Sequence, residues 1–350
     1  MSEILENSVS ENDDSNHTIE YVGTVGGLLP IVIHNTILTL LTLGIYRFWA
    51  KTDIRKYLWS KTKFDGEPFE YTGTGGELFV GFLIVFFVAF LPLMIGMGYL
   101  VQQYPTTAPY IIGAFYPLFI FLIGVAVYRA QVYRMSRTNW RRIRGAQLKG
   151  SAAYGWLTLK YAVLYFITFG LITPYVICRS WNFLINNKRL GSGVMSCNVK
   201  SKPLFKVWFL SWLAAIVIFG ATIGLISYGA LTSNIVFIVL GYLVMFFAFE
   251  VIFVWFKAAL LNHLFGGLRY QNMAFNFHIA PMELLTFSIV NFLILLFTLG
   301  LGASFITQRW TRLICEKLSF EGKLDFAEIS QSPEQGPNFG EGLVEAFDIG

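Results

Sequence analysis

The sequence predicts an all-α polytopic membrane protein, built from tandem internal repeats. It is expected to hold about seven apolar helical segments, amphipathic interfacial helices and small cytoplasmic β-hairpins. Three observations lead there. Of the 350 residues, 55% are hydrophobic and 13% charged, with a mean hydropathy of +0.58. Soluble domains carry about 25% charged residues, and one core of this size cannot hide so much apolar surface. Seven stretches approach the ~20 apolar residues that a bilayer-crossing helix needs. Finally, the phrase Thr-x-Gly-aliphatic closes three long apolar runs: LTLGIY from Leu41, ITFGLI from Ile167 and FTLGLG from Phe297.

Taken in order, the chain starts with a polar, acidic stretch (Glu3, Glu6, Glu11, Asp13, Asp14, Glu20). It lacks the basic start and apolar centre of a signal peptide, so 1–21 is expected to be a disordered tail. The apolar segments follow at 22–45, 78–101, 109–127, 152–178, 204–225, 235–256 and 284–306. Two of the connections are short and uncharged, QQYPTT from Gln102 and SYGALTSN from Ser227. The others are longer, and several are basic. Thr74 stands three residues before Glu77, the spacing of a capping box that satisfies free helix amides. Pro203 and Pro281 suit helix openings, where a missing N–H is harmless.

The repeated phrase sets a long period. Thr42, Thr168 and Thr298 lie 126 and 130 positions apart. Each is followed by arginine (Arg55, Arg179, Arg309) and then by a polar turn centred on Gly66, Gly191 or Gly322. Around the first turn, Phe64, Phe69 and Tyr71 flank Asp65-Gly66, a hairpin signal. The period divides the chain into repeats at 22–151 and 152–281, a half-repeat at 282–329 and a polar, acidic tail at 330–350. At Thr42/Gly44, Thr168/Gly170 and Thr298/Gly300 the helix is expected to break, because glycine relaxes the backbone. An amphipathic helix then carries arginine to the interface.

Loop charge bears on orientation. Arg129 to Lys149 and Arg179 to Lys206 are basic stretches without an acid, and a single apolar segment separates them. If that segment spans, the two clusters face opposite sides, against the preference of basic loops for the cytoplasm. If the three segments ending in Thr-x-Gly are re-entrant, four spans remain and every basic cluster is cytoplasmic. Re-entrant backbone requires cover by protein or a wet cavity. Both arrangements stay open at the level of sequence.

The stretch LTLGIYRFWAKTDIRKYLWSKTKFDGEPFEYTGTGGELFVG (Leu41 to Gly81) resembles the signature of the YjgN-like bacterial inner-membrane proteins. RTNWRRIRG (Arg137 to Gly145), FTLGL with Arg309, and GEGLVEAFDIG (Gly340 to Gly350) match in order. The resemblance covers nearly the whole chain. It departs at GLGASF, which lacks the aromatic character of IYRFWA, and at LINNKRLGSG, a looser hairpin. The resemblance implies a multi-pass protein of the bacterial inner membrane and supplies no catalytic residues.

Candidate functional residues are few. Glu250 lies inside an apolar segment, where a carboxylate costs about 2.5–3.5 kcal/mol on insertion scales; it either faces a wet site or pairs with Lys257. Asn35 and Asn291 each stand nine residues before their glycine, with Tyr161 equivalent and Lys160 beside it. They line a shared site or make interhelical hydrogen bonds. Arg137, Arg141, Arg142 and Arg144, with Trp140, are candidate contacts for anionic phospholipid head groups, or simply set topology. The net charge of +5 is spread in clusters against apolar runs, which argues for the bilayer and against nucleic acid. Three cysteines without paired spacing and four scattered histidines predict no disulfide framework, metal or cofactor. No nucleophile–base set is present, so an enzyme is not expected. A transporter or channel fits the repeats and buried polar residues; a non-transporting scaffold or lipid-binding module fits the hairpins and scarce intramembrane charge.

Overall fold

The fold is described here from a computed structural model, which covers residues 17–322. Four helical stretches are long and apolar enough to cross a bilayer: Gly75–Gln103, α5 (Ala108–Ser136), α8 (Lys202–Leu231) and α9 (Ile235–Gly266). The first consists of α3 (Gly75–Val85), a π-helical turn (Phe86–Phe90) and α4 (Leu91–Gln103). Thr74 caps it through the capping box with Glu77. At 29 to 32 residues these stretches are about 43–48 Å long. They overreach a hydrocarbon core of about 30 Å and project beyond it.

The remaining helices come in short pairs. They are α1 (Val25–Leu41) with α2 (Arg47–Lys61), α6 (Ser151–Ile167) with α7 (Thr173–Asn186), and α10 (Pro281–Phe297) with α11 (Ala303–Lys317). The first member is 17 residues in every pair, about 25 Å.

Between the helices runs a ten-stranded antiparallel sheet in which strand order follows chain order. Its strands are β1 (Ile19–Tyr21), β2 (Thr62–Phe64), β3 (Glu67–Tyr71), β4 (Thr138–Trp140) and β5 (Ile143–Gln147). They continue with β6 (Lys188–Leu190), β7 (Gly193–Cys197), β8 (Leu268–Tyr270), β9 (Met273–Phe277) and β10 (Leu318–Glu321). Four hairpins share one plan, a three-residue strand, a two-residue turn and a five-residue strand. Left-handed backbone, which such tight turns require, occurs at Asp65 and Gly66, at Arg141 and Arg142, at Gly191 and at Gln271.

The sheet curls into a nearly closed barrel. Phe64 on β2 meets both Trp140 on β4 and Phe320 on β10, with ring centroids 5.4 Å apart in each case. Tyr270 and Met273 complete this interior, and Phe69, Ile143, Leu190, Met195 and Phe275 pack against it. Edge-to-face aromatic pairs add about 0.5–1.5 kcal/mol beyond area burial. Across the open seam α11 packs on β1, and Arg312 donates from Nη2 to the Gly23 carbonyl at 2.6 Å.

Two expectations need correction. The chain is not all-α with about seven apolar membrane helices. Among the described residues there are four bilayer-length helices, and the hairpins are joined into one large sheet. Three-residue strands are too short to display alternation, and the turns at Arg141-Arg142 and Gln271-Asn272 lack glycine. In addition, Ile19–Tyr21 is a strand instead of part of a disordered tail. Residues 1–16 of that tail, and the C-terminal tail at 330–350, lie outside the described residues.

Candidate functional site

The three short helix pairs turn in the same way. Leu43, Phe169 and Leu299 take φ of 51°, 49° and 51°, followed by Gly44, Gly170 and Gly300 at 92°, 81° and 89°. Each glycine N–H bonds back five residues, to Thr39, Tyr165 or Leu295, at 2.7–2.9 Å. This is the closing bond of a Schellman-type helix end. The threonine hydroxyls donate to Leu38, Leu164 and Ile294 carbonyls. Thr42 and Thr298 also accept from the amides of Tyr46 and Gly302. One side chain thus ends one helix and steadies the start of the next.

At the tips the side chains project away from the protein. Leu43, Phe169 and Leu299 are 95%, 82% and 91% exposed. Leu41, Phe166, Ile167 and Phe297 around them are exposed as well. A contiguous exposed apolar patch marks a surface that meets lipid or protein.

The polar residues singled out above bond locally. Asn291 Oδ1 accepts from Arg309 Nε at 2.8 Å, across α10 and α11. Asn35 Nδ2 donates to the Ala50 carbonyl at 3.3 Å, across α1 and α2. Tyr161 meets Tyr175 edge-on, and Arg179 lies over Tyr175 at 5.5 Å. Each bridge therefore ties the two helices of its own pair. Lys160 is exposed on α6. Glu250 Oε2 accepts from Lys257 Nζ at 2.8 Å within α9, with both side chains nearly half exposed. A groove of about 660 Å³ beside Glu250 is otherwise lined by Val239, Tyr242, Leu243, Met245 and Phe249.

The arginine cluster divides. Arg137 pairs with Glu77 at 2.7 Å, and the Tyr133 hydroxyl donates to the same carboxylate. Arg137 therefore locks the end of α5 to the start of α3. Arg144 is half-buried on β5. Arg141, stacked over Trp140 at 4.8 Å, and Arg142 stand exposed at the hairpin tip.

Sequence reasoning did not find an open polar cavity, a surface groove of about 760 Å³, where α7, β7, β8 and the end of α9 meet. Arg179, Arg269, Ser196, Asn198 and Gly266, all exposed, line it, together with Asn182 and Asn186. The last two are already occupied. Asn182 bonds the Val199 amide and carbonyl at 3.1 and 3.0 Å; Asn186 bonds those of Cys197 at 2.6 and 3.1 Å. No acid occurs between Glu77 and Glu250, so the segments that build α7 and β7 bring only positive charge. The cavity joins residues some ninety positions apart, which is why spacing did not reveal it.

Burial shifts several groups outside the long helices. It lowers Lys188 on β6 to about 8, helped by the nearby Arg134 charge. It raises the Cys178 and Cys315 thiols to about 11 and the Tyr270 phenol to about 12. All three cysteines are free and buried.

Comparison with known proteins places this architecture. Residues 16–346 match the family model described as "Bacterial protein of unknown function (DUF898)". The inner membrane protein YjgN of Salmonella typhimurium (strain LT2) is 37% identical over 89 residues, 25% of this chain and 22% of that protein. YjgN of Escherichia coli (strain K12) is 36% identical over 86 residues, 25% of this chain and 22% of that protein. The aligned stretch thus covers about a fifth of these relatives. No solved structure matches the chain. The chain is an inner-membrane protein, and it belongs to the DUF898 family.

Proposed function

We propose that the protein is a non-transporting membrane scaffold and lipid-binding module, without catalytic activity, built from internal repeats. In this reading the four long helices anchor a cytoplasmic barrel. The three short helix pairs enter the cytoplasmic leaflet tip first and leave on the same side. Orientation follows from the basic residues of α5, β4–β7 and α7, which belong on the cytoplasmic side.

The observation that carries the reading is the packing of the barrel. Its interior is filled by the packed side chains of Phe64, Trp140, Tyr270, Met273 and Phe320. The long helices turn outward, with 6–12% of their apolar windows buried in the protein. Glu250, the residue on which ion-coupled transport would rest, is satisfied by Lys257.

The test is reconstitution into sealed vesicles loaded with pH- and cation-sensitive dyes. The scaffold reading expects vesicles as tight as protein-free ones, and stable co-sedimentation with anionic vesicles. Protein-dependent flux that disappears in Glu250→Gln would overturn it in favour of a transporter.

A further inference from the structure

We infer that the cavity between α7, β7, β8 and α9 is a binding site for a phosphate oxyanion, supplied by the head group of an anionic phospholipid. This deepens the scaffold reading and rests on it. The first argument is charge. Arg179 and Arg269 both face the cavity, and neither has an ion-pair partner among the described residues. No acid lines it. The end of α9 contributes about half a negative charge through its dipole, against two full positive charges. Ser196 and Asn198 add polar side chains that are not hydrogen-bonded among the described residues. Arginine's planar fork matches phosphate oxygens bidentately.

Depth agrees with this. Arg179 stands six residues into α7, so the helix carries it about 9 Å beyond the turn that holds Phe169. One leaflet of hydrocarbon is about 15 Å thick, half of a ~30 Å core. A tip that enters about 9 Å into this leaflet, short of the bilayer centre, sets Arg179 at the boundary with the head groups. On the other helix of the pair Lys160 is ten residues before Gly170, at the same height.

The test uses the full chain in nanodiscs. One arm contains phosphatidylglycerol in phosphatidylcholine, and native mass spectrometry reads the lipid retained. The other contains phosphatidylcholine alone, and millimolar inorganic phosphate is titrated while thermal unfolding is followed. Retention in the first arm without a shift in the second is the expected result. A shift without retention would overturn the lipid assignment in favour of free phosphate.

Arg179→Gln with Arg269→Gln should cut retention about thirty-fold, the ratio expected for two basic residues at a lipid surface. Gly266→Trp, at a position with open space beside it, should block the cavity and cut retention similarly without changing charge. Lys149→Gln with Lys206→Gln, removing equal charge from exposed positions elsewhere, should leave retention intact. Equal losses in that control, or full retention in either cavity variant, would overturn the proposal. Flux through vesicles would sink the scaffold reading while leaving these binding results in place.

Discussion

An aspartate at the helix-pair tips tests whether they stand in hydrocarbon. Phe169 and Leu299 are 82% and 91% exposed, and the Phe169 carbonyl, which a side-chain change leaves in place, accepts from Trp212 Nε1 at 3.0 Å. In water, Phe169→Asp or Leu299→Asp should therefore change stability by no more than about 0.5 kcal/mol. The left-handed backbone there, φ near 50°, suits aspartate better than leucine or phenylalanine. A loss cannot then be blamed on the turn. In the bilayer centre the carboxylate costs about 2.5–3.5 kcal/mol, a large share of a typical total of ~5–15 kcal/mol.

The three tips should not respond equally. Arg179 and Arg309 are the first charges after their glycines, nine residues on, whereas Arg47 follows Gly44 by three. Charge thus returns six residues into α7 and α11, about 9 Å, and at the first residue of α2. The first pair lies shallower, and Leu43→Asp should cost less than the other two. The assay is reversible unfolding in vesicles, with Ser233→Asp in an exposed loop as reference. Nitroxide labels at 43, 169 and 299 report depth directly. Aspartate variants at 169 and 299 as stable as wild type, with labels at water depth, would refute membrane insertion of the tips.

Other outcomes follow from the same geometry. Gly44→Ala should lose about 1–2 kcal/mol from backbone conformation alone, because its Cβ meets nothing within 4 Å. Gly170→Ala should lose more in the same unfolding assay, since Tyr165 Oη stands 3.1 Å away. Gly193→Ala drives a Cβ to 2.0 Å from Tyr270 Oη, which is held by the Leu190 carbonyl; its melting point should fall, while Gly266→Ala in open space should melt as wild type or higher. Lys188, lowered to about 8, opposes folding fully below pH 8, and the penalty fades as pH rises toward its unfolded value of about 10.5. Lys188→Met should therefore raise the melting point at pH 7 and lose that advantage near pH 10.5. The buried thiols, Cys178 and Cys315 raised to about 11, should resist maleimide at pH 7.5 until the protein unfolds. A single cysteine at Thr106, Ser233 or Ser192 then reports sidedness cleanly: the first two should label from outside, and Ser192 only from the cytoplasm.

Local chemistry was readable in the sequence, and distant pairing was not. The capping box at Thr74 and Glu77, the turn at Asp65-Gly66 and the breaks after Thr42, Thr168 and Thr298 each use residues within a few positions. Their conformations follow from glycine, hydroxyl and carboxylate chemistry alone. The sheet depends on partners such as Tyr71 and Thr138, brought together by an intervening helical hairpin. A count of apolar residues leaves the 17-residue helices open as spans or re-entrant segments, because nothing in composition shows that both ends return to one sheet. Arg137, a candidate lipid contact or topology-setting residue by sequence, has its partner hidden for the same reason. Its carboxylate, Glu77, is sixty residues away. Glu250 and Lys257 are two turns apart, about 10 Å of rise, yet long side chains close that gap to 2.8 Å.

Strand order equal to chain order has a consequence for biogenesis. Each strand finds its partner in the segment synthesised immediately before it, so the barrel can be laid down hairpin by hairpin as helices enter the bilayer. Pairing can begin as soon as one helical hairpin has inserted, and no strand has to wait for a distant one. A chain stalled partway would present an unpaired sheet edge, a surface prone to aggregation. That edge stays open until β10 adds to β9 and α11 packs on β1, with Arg312 reaching the Gly23 carbonyl.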